Sequence, residues 1–262
     1  MRTLSFLLVL LAAPLGAQTD AAALVQRGRA LVDAGYRANA PDSLLAARAT
    51  LGLARAADDP EVAAWAAYYT ALADHRLAYV FWGEDAERAA HHAAAGAEVL
   101  APVLDDGARP PLFRAEAHAL YATLLGDQIG LDPTRAPRLG EPLATASATA
   151  RRLAPDNPRV LFQSATALLN TPPEWGGDPA EAVRQLERAT GLFVAPADPL
   201  APAWGEDEAY AWLGLAHLMR EDAAAARPPI ERAAALNPSS PFVQYKLLPW
   251  LAQVEAAGDS AP

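Results

Sequence analysis

The chain has 262 residues and a formal net charge of -10, with 52% hydrophobic and 20% charged residues. This balance indicates a globular protein, because a disordered chain carries fewer apolar groups. The sequence contains no cysteine, which excludes disulfide frameworks, thiolate metal sites and a cysteine nucleophile. The acidic balance also argues against a general nucleic-acid-binding protein, which needs a basic surface.

The first 17 residues have the pattern of a signal peptide. Arg2 precedes an apolar stretch over 4–13, and Pro14 and the small residues Gly16 and Ala17 follow it. The apolar stretch is shorter than the ~20 residues that a membrane-spanning helix needs. We therefore expect cleavage after Ala17 and export of the mature chain to the periplasm or the medium, without a membrane span.

Helix starts are marked by a capping side chain followed by proline, as in Asp59-Pro60, Asn157-Pro158, Asp178-Pro179 and Ser240-Pro241. The side-chain oxygen accepts a free N–H of the first turn, and proline at the first helical position loses no hydrogen bond. No stretch alternates in the manner of a strand. The pattern predicts eleven helices, at 20–37, 42–57, 60–81, 84–104, 110–129, 136–154, 158–170, 179–193, 206–221, 223–236 and 241–257.

Eleven helices joined by short turns predict an all-α fold, an α-solenoid of about five antiparallel helix pairs with a C-terminal capping helix over 241–257. Internal repetition supports this prediction, since residues 150–158 and 233–241 share the pattern A-x-x-L-x-P-x-x-P. We expect residues 18–262 to form one helical-repeat domain.

Residues 207–240 resemble the tetratricopeptide repeat (TPR), a unit of two helices in 34 residues. The motif residues present are Tyr210, Leu213, Gly214, Ala226, Ile230, Ala233 and Pro238. Residues 158–193 match the motif less fully. The resemblance implies a right-handed solenoid in which Gly214 lies at a close helix contact. Gly177, in the loop before 179–193, is expected to be exposed.

Motifs for catalysis are absent from the sequence. It has neither His-Glu-x-x-His nor Gly-x-Ser-x-Gly, and no glycine-rich phosphate loop. His91 and His92 are adjacent and would point about 100° apart on a helix, while Glu87 and His91 form an ordinary helix-face pair. We therefore expect a protein without enzymatic activity, cofactor or metal.

Aromatic residues are concentrated in two kinds of place. Trp65, Tyr68 and Tyr69 follow helical spacing, which predicts core packing, with an aromatic ligand groove as the alternative. Trp175 and Trp204 fall in two loop insertions, 171–177 and 194–205, where they either staple the loops or anchor a partner. We expect both loops to fold over helix ends, on opposite edges of the solenoid, with each Trp partly buried.

The TPR resemblance also implies a concave groove that binds a protein or peptide. The corresponding positions are Thr70, Asp74, Arg159, Phe162, Thr166, Leu169, Asn170, Glu208, Ala211, Leu215, Leu218 and Met219. The leading hypothesis is an exported scaffold for protein–protein interaction. The alternative is a periplasmic small-molecule or transporter-accessory protein, because residues 175–178 are similar to the Gly-Gly insertion of TPR-like periplasmic components associated with TRAP transporters. The sequence identifies neither the partner nor the oligomeric state.

Overall fold

A computed structural model of the protein describes residues 20–259, so the predicted signal peptide lies outside the described residues. The described chain contains eleven α-helices and no strand. They are α1 (Ala21–Ala38), α2 (Pro41–Ala54), α3 (Pro60–Phe81), α4 (Ala86–Leu104), α5 (Pro111–Leu131), α6 (Ala136–Leu153), α7 (Pro158–Asn170), α8 (Pro179–Thr190), α9 (Glu206–Leu218), α10 (Ala223–Leu236) and α11 (Leu248–Asp259).

Several helices begin at the predicted capping residues, whose side chains accept hydrogen bonds from the first turn as expected. The Asp59 carboxylate accepts hydrogen bonds from the backbone N–H groups of Glu61 and Val62 at 2.8 and 3.3 Å. Asn157 and Asp178 cap α7 and α8 in the same way. Local capping chemistry therefore fixes where these helices begin.

Helix ends differ from the prediction in places. Helices α2, α8 and α9 each end three residues before the predicted boundary. The last helix is interrupted by a π-helical turn over Val243–Leu247, in which the Leu248 N–H donates to the Val243 carbonyl. Pro249 has no N–H and its ring would clash with the carbonyl four residues earlier, which explains a widened turn at this point.

Consecutive helices pack as antiparallel pairs, and the predicted all-α helical-repeat arrangement is confirmed. The odd-numbered helices α1, α3, α5, α7 and α9 also contact one another in series and form the inner layer. The predicted core stripe is confirmed, because Trp65, Tyr68 and Tyr69 are all buried. None of the described helices is both long and apolar enough to cross a membrane.

Two glycines test the predicted register. A Cβ atom at Gly214 would lie 2.4 Å from Cγ1 of Ile230, so α9 and α10 make the expected close contact. The expectation that Gly177 is exposed is wrong, because this residue is half-buried. A Cβ atom there would lie 1.8 Å from the Thr171 carbonyl oxygen, because the 171–177 loop folds tightly back on its own backbone.

The two ends of the solenoid meet. Arg37 at the end of α1 donates to the Leu236 carbonyl at 3.0 Å, and the Ser239 hydroxyl donates to the Arg37 carbonyl at 2.9 Å. These contacts join residues about 200 positions apart and close the inner layer around a central space.

Residues 191–205, here called the strap, cross the inner face of the solenoid. Arg29 of α1 donates to the Pro199 and Ala201 carbonyls, and the Tyr69 hydroxyl donates to the Leu200 carbonyl at 2.9 Å. Ala201 is buried in the core formed by α1 to α5. The expectation that this loop folds only over helix ends is therefore wrong, since its apolar side chains find their burial in the groove.

Candidate ligand-binding cavity

A central cavity of about 310 Å³ lies between the inner helices, the strap and the segment that follows α10. Its volume is at the lower end of the range for small-molecule sites, roughly 300–1,000 Å³. Aromatic rings from six separate places in the sequence line it: Tyr36, Tyr79, Phe162, Trp204, Trp212 and Phe242. Such a wall favours a ligand with a flat apolar body.

A buried ion pair forms part of the cavity wall. Arg76 of α3 contacts both carboxylate oxygens of Glu208 of α9 at 2.5 Å, although the two residues are 132 positions apart. The guanidinium also stacks 4.3 Å from the ring centroid of Tyr36 and 5.1 Å from that of Trp204. Burial raises the pKa of Glu208 while the Arg76 charge opposes this rise; we assign both groups as ionised because the contact is bidentate.

A second polar group in the wall is His75, one residue before Arg76 on α3. Its Nδ1 lies 2.7 Å from Oδ2 of Asp127 on α5, and both side chains are almost fully buried. The ring meets the edge of Tyr79 at a centroid distance of 5.1 Å. The pair therefore holds one imidazole in a fixed orientation beside the cavity.

A hydrogen-bond network behind the cavity wall fixes the position of Trp204 of the strap. Its indole N–H donates to the Tyr68 hydroxyl at 3.0 Å, and that hydroxyl donates to Glu116 at 3.2 Å. Glu116 is fully buried and also accepts from Arg159 and Asn157 at 2.8 and 2.7 Å. The network joins α3, α5, α7 and the strap, so the cavity has a rigid back wall.

The structure distributes the predicted groove residues over three environments. Phe162, Thr166, Glu208 and Ala211 lie together around the cavity. The residues that fill the interior are Thr70, Asp74, Arg159, Leu169, Leu215 and Leu218, while Asn170 and Met219 are exposed. Asp74 and Leu218 have no accessible surface, so they stabilise the fold instead of lining an open groove.

The sequence left open whether Trp175 and Trp204 staple their loops or anchor a partner, and the structure places the two residues in different environments. Trp204 is half-buried and lines the cavity, as expected for a loop staple. Trp175 is 72% exposed, so the expectation that it is partly buried is wrong. The 171–177 loop is held by its own backbone hydrogen bonds, including Gly177 N–H to the Pro172 carbonyl, and does not need the indole as a staple.

Sequence reasoning missed several cavity residues, among them Tyr36, Arg76, Trp212 and Phe242. Repeat positions identify the inner face of each pair, but they carry no information about the closure of α1 against the segment after α10. The signal that was present is the Trp in the 194–205 insertion, which the repeat itself does not require.

Neither a protein-family model nor a curated protein matches the chain. Among solved structures, the chain is similar to the HusA haemophore from Porphyromonas gingivalis, with a TM-score of 0.57 and 24% identity. The similarity covers 77% of this chain and 94% of that one. It shows a shared all-helical fold, whereas the resemblance to tetratricopeptide repeats has no support from a family model.

Proposed function

We propose that this protein is an exported carrier that binds a planar, largely apolar organic ligand in the central cavity, and that haem is the first candidate. The observation that carries the proposal is the partly open cavity of about 310 Å³, which six aromatic rings line and in whose wall the charged residues are Arg76, Asp207 and Glu208. The haemophore with a similar fold supports the choice of haem. The sequence pattern of residues 1–17 supports export.

The strap favours a small ligand over the peptide groove expected from the repeats. A peptide on the inner face would have to displace residues 191–205 and break their hydrogen bonds with Arg29, Tyr69 and Tyr68. Leu200 and Trp204 would also lose their packing on the core. A small ligand needs only the space that the strap leaves, so we propose a carrier and not a scaffold or a catalyst.

The charges in the wall bear on how a haem would be oriented. Arg76 is held by the carboxylate of Glu208 and also lies in the electrostatic field of the Asp207 carboxylate. The wall therefore offers no unpaired cation to the two propionates of haem. We propose that the apolar edge of the macrocycle enters the cavity and that the propionates remain in solvent.

Titration with ferric haem, followed by absorbance and by quenching of tryptophan fluorescence, tests the proposal. Thr166→Trp adds a large ring at the cavity wall and is expected to lower affinity at least roughly tenfold, because the ligand loses its space. Ala167→Trp, at the next position of α7 but exposed, is the matched control and should bind like wild type. Equal affinities for the two variants, or no binding by wild type, would contradict the proposal.

A further inference from the structure

We infer that His75 is the axial ligand of a metal carried by the bound molecule, through Nε2, and that Asp127 is the residue that positions it. The inference rests on the proposed function and extends it, because it names the atom that meets the iron. The inference and the proposed function can be tested separately, since a porphyrin can bind in the cavity with or without coordination by the protein.

The first argument is the hydrogen bond at the other ring nitrogen. With Asp127 at 2.7 Å, Nδ1 carries the proton, and the lone pair is left on Nε2. A metal-binding histidine almost always donates its other ring N–H to a carboxylate, a backbone carbonyl or a water, and a carboxylate in this place fixes the tautomer and raises the basicity of the ring. Haem iron commonly takes a histidine nitrogen as its axial ligand.

The second argument is position. His75 lines the cavity, and the ring is held between Asp127 and the edge of Tyr79. Both members of the pair lie on long helices, α3 and α5, which keeps Nε2 in place before the ligand arrives. Within the described residues, the His75 ring makes a single hydrogen bond, the one to Asp127, so Nε2 is available to a ligand.

A second histidine shows which part of this arrangement is specific. Nδ1 of His92 lies 2.8 Å from Asp74, in nearly the same geometry, but its ring stacks on Phe81 and lies outside the cavity wall. A His–Asp pair therefore also serves this fold structurally. Contact with the cavity is what distinguishes His75, and His92 provides a matched control.

The experiment compares ferric haem with metal-free protoporphyrin on wild type, His75→Asn and His92→Asn. Asparagine keeps an amide donor near the position of Nδ1 and removes Nε2. For His75→Asn we expect the affinity for ferric haem to fall roughly tenfold or more and its visible spectrum to change, with the affinity for protoporphyrin unchanged within about twofold. His92→Asn should alter neither ligand. Asp127→Asn should lower the haem affinity about 10–100-fold without affecting protoporphyrin.

The outcomes separate the two proposals. If wild type binds both porphyrins equally and His75→Asn leaves the haem spectrum unchanged, the role of His75 is overturned and the carrier function stands. If neither porphyrin binds, both fall. Should His75→Asn fail to fold, electron paramagnetic resonance of the wild-type ferric complex decides, because the inference requires an axial nitrogen ligand from the protein.

Discussion

At the scale of single residues, the cavity depends on charges that have been taken out of water. Arg76 and Glu208 come from α3 and α9, and each is held by the other. Removing one partner of such a pair leaves an uncompensated buried charge, whereas replacing both with apolar residues of similar size can be almost neutral.

We therefore expect Glu208→Gln to lower the free energy of unfolding by about 3–5 kcal/mol. The double variant Arg76→Met/Glu208→Leu should recover most of this loss, because no charge remains buried. Urea denaturation measures both. Arg184→Ala, which breaks an exposed ion pair with Glu181, is the control and should have a much smaller effect. A double variant that is less stable than the single one would contradict this account.

Buried tyrosines make stability sensitive to alkaline pH. Burial is the main cause that raises the pKa of Tyr68 and Tyr69 in the folded protein, while an unfolded tyrosine titrates near pH ~10. Because the folded-state pKa is the higher one, the stabilising contribution is complete below pH ~10. It is lost as the pH rises from there towards the folded-state pKa.

We accordingly expect the free energy of unfolding to decrease above pH ~10, with tyrosinate absorbance from the buried rings appearing together with unfolding. Spectrophotometric titration alongside circular dichroism measures this. Early ionisation of all tyrosines with intact helices would show that Tyr68 and Tyr69 are not protected.

At the scale of elements, the strap crosses the inner face of the solenoid and narrows its groove to a cavity. It has no regular secondary structure of its own, and it is held by side chains of α1, α3 and α7. Loops of this length without such contacts are uncommon in compact proteins.

We expect Arg29→Ala to increase hydrogen exchange in residues 198–205, because the side chain donates two of the bonds that hold the strap. Arg27→Ala removes an exposed arginine from the same helix and serves as the control. Mass spectrometry of exchanged peptides measures the difference. Equal protection of the strap in the two variants would mean that apolar packing of Leu200 and Trp204 alone holds it.

At the scale of the whole molecule, closure of the ends distinguishes this protein from an open repeat array. In an open array each repeat contacts only its neighbours, so the ends can unfold separately. Here Arg37 of α1 forms hydrogen bonds with Leu236 and Ser239, and an ion pair joins α3 to α9.

Closure predicts one cooperative transition. Urea unfolding followed by circular dichroism and by tryptophan fluorescence should give coincident curves, since Trp65 lies in the N-terminal half and Trp212 and Trp250 in the C-terminal half. In Arg37→Ala/Ser239→Ala, which loses the side-chain bonds between the ends, the two curves should move apart. Separate transitions already in wild type would show that the halves are energetically independent.

The sequence by itself determined the helices and their pairing. Caps such as Asp59 and Asn157 act within three residues, helical hydrogen bonds span four, and short turns force neighbouring helices to be antiparallel, so this information is local. The burial of Trp65, Tyr68 and Tyr69 followed from the same spacing. Phe162, Thr166 and Glu208 were also recognised as inner-face positions, although not as parts of one cavity.

Only the tertiary structure decided that a cavity exists and what lines it. Arg76 meets Glu208 across 132 residues, and Trp204 meets Tyr68 across 136. Whether these residues come into contact depends on the summed curvature of successive helix pairs and on where the strap buries its apolar side chains. Neither quantity is encoded in any single repeat, because a small rotation between each pair of repeats determines whether the two ends meet. The orientation of His75 towards Asp127 has the same origin, since it requires α3 and α5 to be packed at one fixed distance.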